Sequence, residues 1–199
     1  MATTTTIRTL VKRLRSGGRK AAAAARTLAD LSYGIDNRTA IIAAGGISAL
    51  VQCLGSRDSS EALLQEAGAA LCHLSSGSPD DKAAIAAAGT IPALVQHLLS
   101  SSERMQELAA GVLRNLASDS PDHMAAIAAA GAIPALHLHS RSEVVQRRAA
   151  SALWNLSEGS PDSSAAIAAA GGIPALVQRV HSSSEAVQEQ AAAAAAAAR

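Results

Sequence analysis

The chain has 199 residues, a formal net charge of +1, and 49% hydrophobic residues with only two aromatics, Tyr33 and Trp154. That length suits one domain or one repeat array, and the near-neutral charge argues against a nucleic-acid or anionic-membrane binder. Strand-like alternation of β-branched and aromatic residues is missing, so an all-α fold is expected, and a core of Ala and Leu suits helices whose axes approach closely.

In chain order, Ile7, Leu10, Val11 and Leu14 recur at three- and four-residue spacing and predict an amphipathic helix. Ala25 to Ser32 predicts a second. Before Asp30 there are seven basic residues and no acid, whereas the rest of the chain holds ten basic and sixteen acidic residues. An Arg-rich, acid-poor start also has the composition of an organelle transit peptide. The register of its four apolar positions with Ile91, Leu94, Val95 and Leu98 favours a partial repeat instead. No apolar segment follows these charges as in a secretory signal, and no stretch of 18 apolar residues lies outside the amphipathic pattern.

From residue 41 onward one block occurs four times. Ile41-Ile-Ala-Ala-Gly45-Gly-Ile-Ser-Ala-Leu50 is followed by Ile85-Ala-Ala-Ala-Gly89-Thr-Ile-Pro-Ala-Leu94. The same pattern then opens at Ile127 and at Ile167. A second block keeps pace: Ala70-Leu-Cys-His-Leu-Ser75, Val112-Leu-Arg-Asn-Leu-Ala117 and Ala152-Leu-Trp-Asn-Leu-Ser157. The period shortens from copy to copy between these two blocks, so the second helix of the third copy, around Leu136 to Ser140, is expected to be short or distorted. The period places copies at 41–84, 85–126 and 127–166, with a partial copy at 1–40 and an incomplete one at 167–199.

Local punctuation divides each copy into three helices. Ser120-Pro121-Asp122 starts the first, since Ser caps, Pro suits the first helical position and Asp complements the dipole. Gly131 ends it as a left-handed residue. Pro134 starts a second short helix, and Glu143 opens a longer third, with Ala149, Ala152, Leu153 and Leu156 on one face. One copy cannot bury that face alone, so neighbours must stack. Ser78, Ser120 and Ser160 each precede Pro, as in a proline-directed phosphorylation site, but capping explains all three. Past Gln190 the run Ala191 to Ala198 replaces the expected leucines. It predicts a helix that buries little area, hence a weakly docked end, and so a fragment or an end covered by another protein.

The Gly-x-Ile-Pro-Ala-Leu-Val turn and helix (Gly89 to Val95) and the Ala-x-x-Leu-x-Asn-Leu helix (Ala110 to Leu116) resemble the armadillo repeat, over essentially the whole chain. The Ser-Pro-Asp loops and Ala152 to Ser157 are similar to β-catenin-like and plant-type members. The resemblance implies a right-handed α-solenoid whose third helices line a concave groove. It also implies that the Asn of the third helix holds the backbone of an extended peptide. Asn115 and Asn155 match that position, while His73 and Asp30 occupy it in the earlier copies. One turn earlier, where importin-α-like members carry Trp, stand Ala69, Gly111 and Ser151, which argues against nuclear-localisation-signal binding. Trp154, next to Asn155, is expected to pack or to edge the groove. Arg147 and Arg148 supply a positive spot near Asn155, with Glu107 and Glu66 as negative spots elsewhere.

Cofactor, metal and catalytic chemistry find no support in the sequence. The six histidines and two cysteines show no CxxC or HExxH spacing, and His137 and His139, two apart, do not share a helical face. Cys53 and Cys72 read as reduced thiols of an intracellular protein, cytoplasmic or nuclear. The expected role is a scaffold that binds a partner protein through an extended peptide. The alternatives are the substrate-recognition part of a U-box-type ubiquitin ligase, or a purely architectural array with end-to-end contacts.

Overall fold

The computed structural model describes residues 4–118, 120–136, 142–159, 165, 167, 169, 177 and 184–197. Among them all regular structure is α-helical. The chain divides into two compact units, Met1–Ala93 and Leu94–Arg199.

The first unit opens with the expected helix pair, α1 (Thr4–Arg15) and α2 (Gly18–Leu31). Ile7, Leu10, Val11 and Leu14 are all buried, and the intervening basic residues Arg8, Lys12 and Arg13 are exposed. These four positions are therefore a packing face of the array. Three helices follow, α3 (Ile35–Ala43), α4 (Gly46–Gly55) and α5 (Glu61–Ser75), and then α6 (Pro79–Ala87). The two long helices α2 and α5 lie side by side, with α1 against both α2 and α4. Buried Leu28, Leu50, Leu71 and Leu74 make the core, with alanines filling the spaces between.

Helix α7 (Thr90–Leu98) spans the division between the units. The second unit continues with α8 (Glu103–Leu116), α9 (Pro121–Ala129), α10 (Ala132–Leu136), α11 (Glu143–Gly159) and α12 (Glu185–Ala197). Here α8 packs on α11 and α11 packs on α12, while α9 and α10 lean on α11. The shortened second helix expected around Leu136 to Ser140 falls mainly on 137–141, outside the described residues.

Helix ends follow the local chemistry. Ser78 and Asp81 form a reciprocal capping box at α6: the Ser78 hydroxyl accepts from the Asp81 N–H at 3.2 Å, and the Asp81 carboxylate accepts from the Ser78 N–H at 3.0 Å. Ser120 caps α9 by accepting from the His123 N–H. The Ser160-Pro161 start lies outside the described residues. Gly45, Gly89 and Gly131 leave the first helices with φ of 73°, 74° and 78°, the left-handed conformation in which a Cβ is strained. These ends place the helix starts at Ile35, Pro79 and Pro121, so the period boundaries 41, 85 and 127 each lie inside a first helix.

The alanine-rich end differs from expectation. Instead of lying loosely, α12 packs along α11 with Val187, Ala191, Ala194 and Ala195 buried. Its small side chains lend little apolar area each but allow close approach of the two helices. Among the described residues no single helix is long and apolar enough to cross a membrane.

Candidate functional site

The long helices α2, α5, α8, α11 and α12 occupy the same place in successive repeats, so their polar positions can be compared directly. In the second unit, Asn155 on α11 is half-buried and donates from Nδ2 to the carbonyl of Arg114 on α8 at 3.0 Å. The first unit holds the same link: His73 on α5 meets the Ala29 carbonyl on α2 through Nδ1 at 3.0 Å. In both cases the acceptor is the residue just before the equivalent polar position on the preceding long helix. A carbonyl can only accept, so Nδ1 of His73 carries its proton. Its Nε2 then accepts from the Tyr33 hydroxyl at 3.0 Å, with the two rings 4.3 Å apart. Each such bond contributes about 1 kcal/mol; its larger effect is to hold the side chain in one orientation.

Asn115 on α8 is also half-buried. Its Oδ1 accepts from Nε and Nη2 of Arg114 at 3.2 and 2.8 Å. Arg114 thus joins the set through both its backbone and its guanidinium. Ser151 and Gly111 stand one turn before Asn155 and Asn115. Gly111 is buried, and the Ser151 hydroxyl donates to Gln190 of α12 at 2.9 Å. Trp154 keeps 37% of its surface exposed beside Asn155.

Two charged positions differ from expectation. Glu107 is no separate negative spot: it pairs with Arg148 across α8 and α11 at 2.8 Å and with Arg104 on its own helix at 2.8 Å. Both side chains of the Glu107–Arg148 pair are largely buried, so solvent screening is weaker than for a surface pair. Glu66 meets the exposed Arg26 at 4.0 Å. Asp30 is exposed in the first unit. Arg114, Arg147, Arg148, Ser151, Glu189 and Gln190 border a cavity of about 190 Å³ on the second unit.

Neither cysteine is in a disulfide, and burial pushes the Cys53 thiol up, which lowers its thiolate fraction and reactivity. Among the described residues no three His, Cys, Asp or Glu side chains converge as metal ligands. His137, His139 and His181 lie outside the described residues.

Asn115, Asn155, His73, Ser151, Trp154 and Arg148 stand out in the sequence, whereas the contacts around them also involve Tyr33, Arg114 and Gln190. Tyr33 had a signal, as one of two aromatics. Gln190 had one too: like Arg148, it stands five residues after the Glu that opens its long helix. Arg114 had none: no motif marks the residue that offers its carbonyl to Asn155 and its guanidinium to Asn115.

Three-helix repeats, stacked within each unit, define an α-helical repeat scaffold. The Armadillo/beta-catenin-like repeat matches residues 35–76, 78–118 and 160–196, more than half of the chain. The chain belongs to the armadillo repeat family, and its fold is the armadillo α-solenoid. The unmatched stretch 119–159 includes the copy whose period is contracted. Among solved structures, an engineered protein of the Northeast Structural Genomics Consortium is 36% identical. It has a TM-score of 0.91, over 96% of this chain and 78% of that one. A designed armadillo repeat protein in complex with the peptide (KR)4 is 29% identical, with a TM-score of 0.90 over 97% of this chain and 82% of that one. A computationally designed armadillo repeat protein for modular peptide recognition is 27% identical, with a TM-score of 0.90 over 96% and 81%. No curated protein matches the sequence.

Proposed function

We propose that this protein is a non-catalytic scaffold, in the cytoplasm or nucleus, that holds an extended segment of a partner protein against its long third helices. Asn115 and Asn155 grip the partner's backbone, and Trp154, Arg148, Ser151 and Gly111 shape the contact around them. His73 and Asp30 do the same on the first unit. The observation that carries the reading is the bond from Asn155 to the Arg114 carbonyl. It uses one amide hydrogen to fix the side chain and leaves an acceptor and a second donor, the complement of a peptide unit whatever its side chain. The designed neighbours described for peptide recognition support the same use of the fold. Substrate recognition for a U-box-type ligase would use this face as well, with the U-box on a further segment.

The test starts with a random nonapeptide display library selected on the wild-type protein. A selected peptide is then titrated against wild type and Asn115→Ala/Asn155→Ala. Each lost hydrogen bond should cost about 0.5–1.5 kcal/mol, so the pair should weaken Kd by about 5- to 150-fold. An unchanged Kd, with the helical circular dichroism intact, would sink the backbone-holding reading.

A further inference from the structure

The cavity on the second unit has a charge imbalance that the peptide-holding reading leaves unused. Arg114 of α8 and Arg147 and Arg148 of α11 border it, against Glu189 as the one acidic lining residue. The nearby Glu107 offsets part of this charge through Arg148, but the same carboxylate also serves Arg104, so Arg104, Arg114, Arg147 and Arg148 stand against only Glu107 and Glu189 and the balance remains positive. These pairings hold the Arg148 guanidinium in place, and the two bonds to Asn115 do the same for Arg114. Two of the three cations are therefore positioned before any ligand arrives, which removes part of the ordering cost of binding. Arg147 is exposed and has no ion pair among the described residues.

Polar groups complete the lining. Ser151 and Gln190 are tied to each other by a hydrogen bond and add neutral donors and acceptors at the rim. The space, about 190 Å³, is roughly that of six water molecules, enough for one short side chain. Guanidinium forks match the planar or tetrahedral oxygens of a carboxylate or phosphate. Arg114 both lines the cavity and offers its carbonyl to Asn155, so a side chain entering the cavity belongs to a residue close to the backbone that Asn155 holds.

We infer that the Arg114–Arg147–Arg148 cavity reads an anionic side chain, carboxylate or phosphomonoester, in the bound peptide. The inference rests on the peptide-holding reading and adds the chemistry of the ligand. It is opposite in sign to the (KR)4 peptide of the designed neighbour. A nucleic acid would also be anionic, but the chain's net charge of +1 and a cavity for a single group favour a peptide over a phosphate ladder.

The test is fluorescence anisotropy on the full chain with four labelled probes. They are an octapeptide of alternating serine and glutamate, one of alternating alanine and phosphoserine, (KR)4, and an eight-nucleotide oligothymidylate. At least one anionic peptide should bind about tenfold more tightly than (KR)4, the worth of one charge-assisted bond, and the preference should fall with added salt. Which anionic peptide binds better identifies the source, and either supports the inference. Arg147→Glu, at an exposed position, should abolish the preference. Equal or tighter binding of (KR)4, a preference unchanged by Arg147→Glu, or tightest binding of the oligonucleotide would overturn it. Asn155→Ala separates the two levels: it should weaken all three peptides alike. If it weakens none while Arg147→Glu still removes the preference, the backbone-holding reading fails and the anion site stands.

Discussion

Leu156→Ala should destabilise the protein by about 2–5 kcal/mol, the cost of emptying a fully buried leucine site. Leu156 has no exposed surface. It sits on α11, the helix against which α8, α9, α10 and α12 all pack. Repeat arrays are stabilised by each repeat and its immediate neighbours, with no distant core to compensate. One of the neighbours here, α12, brings mainly alanine to the interface and cannot swing a larger side chain into the space. The thermal midpoint followed by circular dichroism should fall by about 5–15 °C. A loss below about 1 kcal/mol would mean that the helices collapse onto the site, and that α11 is less central to the second unit than its packing implies.

Ile85→Ala should have a comparable cost, about 2–5 kcal/mol, with a more local result. Helix α6 reads Pro-Asp-Asp-Lys-Ala-Ala-Ile-Ala-Ala, and Ile85 is its one large apolar residue, fully buried; Lys82 is the only other buried position. Alanine and capping make this helix, but Ile85 docks it onto α5 and α3. The Ile85 carbonyl also accepts from the buried Thr90 hydroxyl at 2.6 Å. Without its isoleucine the helix keeps its cap and loses its anchor. Hydrogen exchange should therefore show the amides of α6 opening well before those of α5. Ile85→Val should cost only about 0.5–1.5 kcal/mol. Uniform exchange across α5 and α6 in Ile85→Ala would show that the anchor lies elsewhere. The same reasoning makes Ile127→Ala milder in α9, where Met124 is buried as well.

The architecture was legible in the sequence because helix boundaries are local chemistry. Ser78-Pro79 and Ser120-Pro121 start helices, Gly45, Gly89 and Gly131 end them, and the recurring isoleucine and leucine positions face inward. All of this depends on residues within a turn or two of each other. The site was legible only as positions. That Asn155 hooks the Arg114 carbonyl, that His73 takes Ala29, and that Tyr33 stacks on His73 are contacts across about forty residues, one repeat apart. They depend on how neighbouring long helices are staggered, which no local pattern encodes. Glu107 shows the same limit. Its charge was visible, but not that Arg148 of the next repeat neutralises it. The alanine run misled for a related reason. Small area suggested weak docking, whereas close approach of α12 to α11 depends on the partner helix as much as on the run itself.

The central claim is that the polar face of α8 and α11 holds a peptide backbone. Side-chain amide resonances of Asn115 and Asn155, followed by ¹⁵N NMR as a library-selected nonapeptide is titrated in, test it most directly. The Asn155 amide should shift in proportion to occupancy, with Asn115 and the Trp154 indole moving alongside. Saturable binding that leaves these three signals in place, with shifts confined to α9 and α10, would contradict the account.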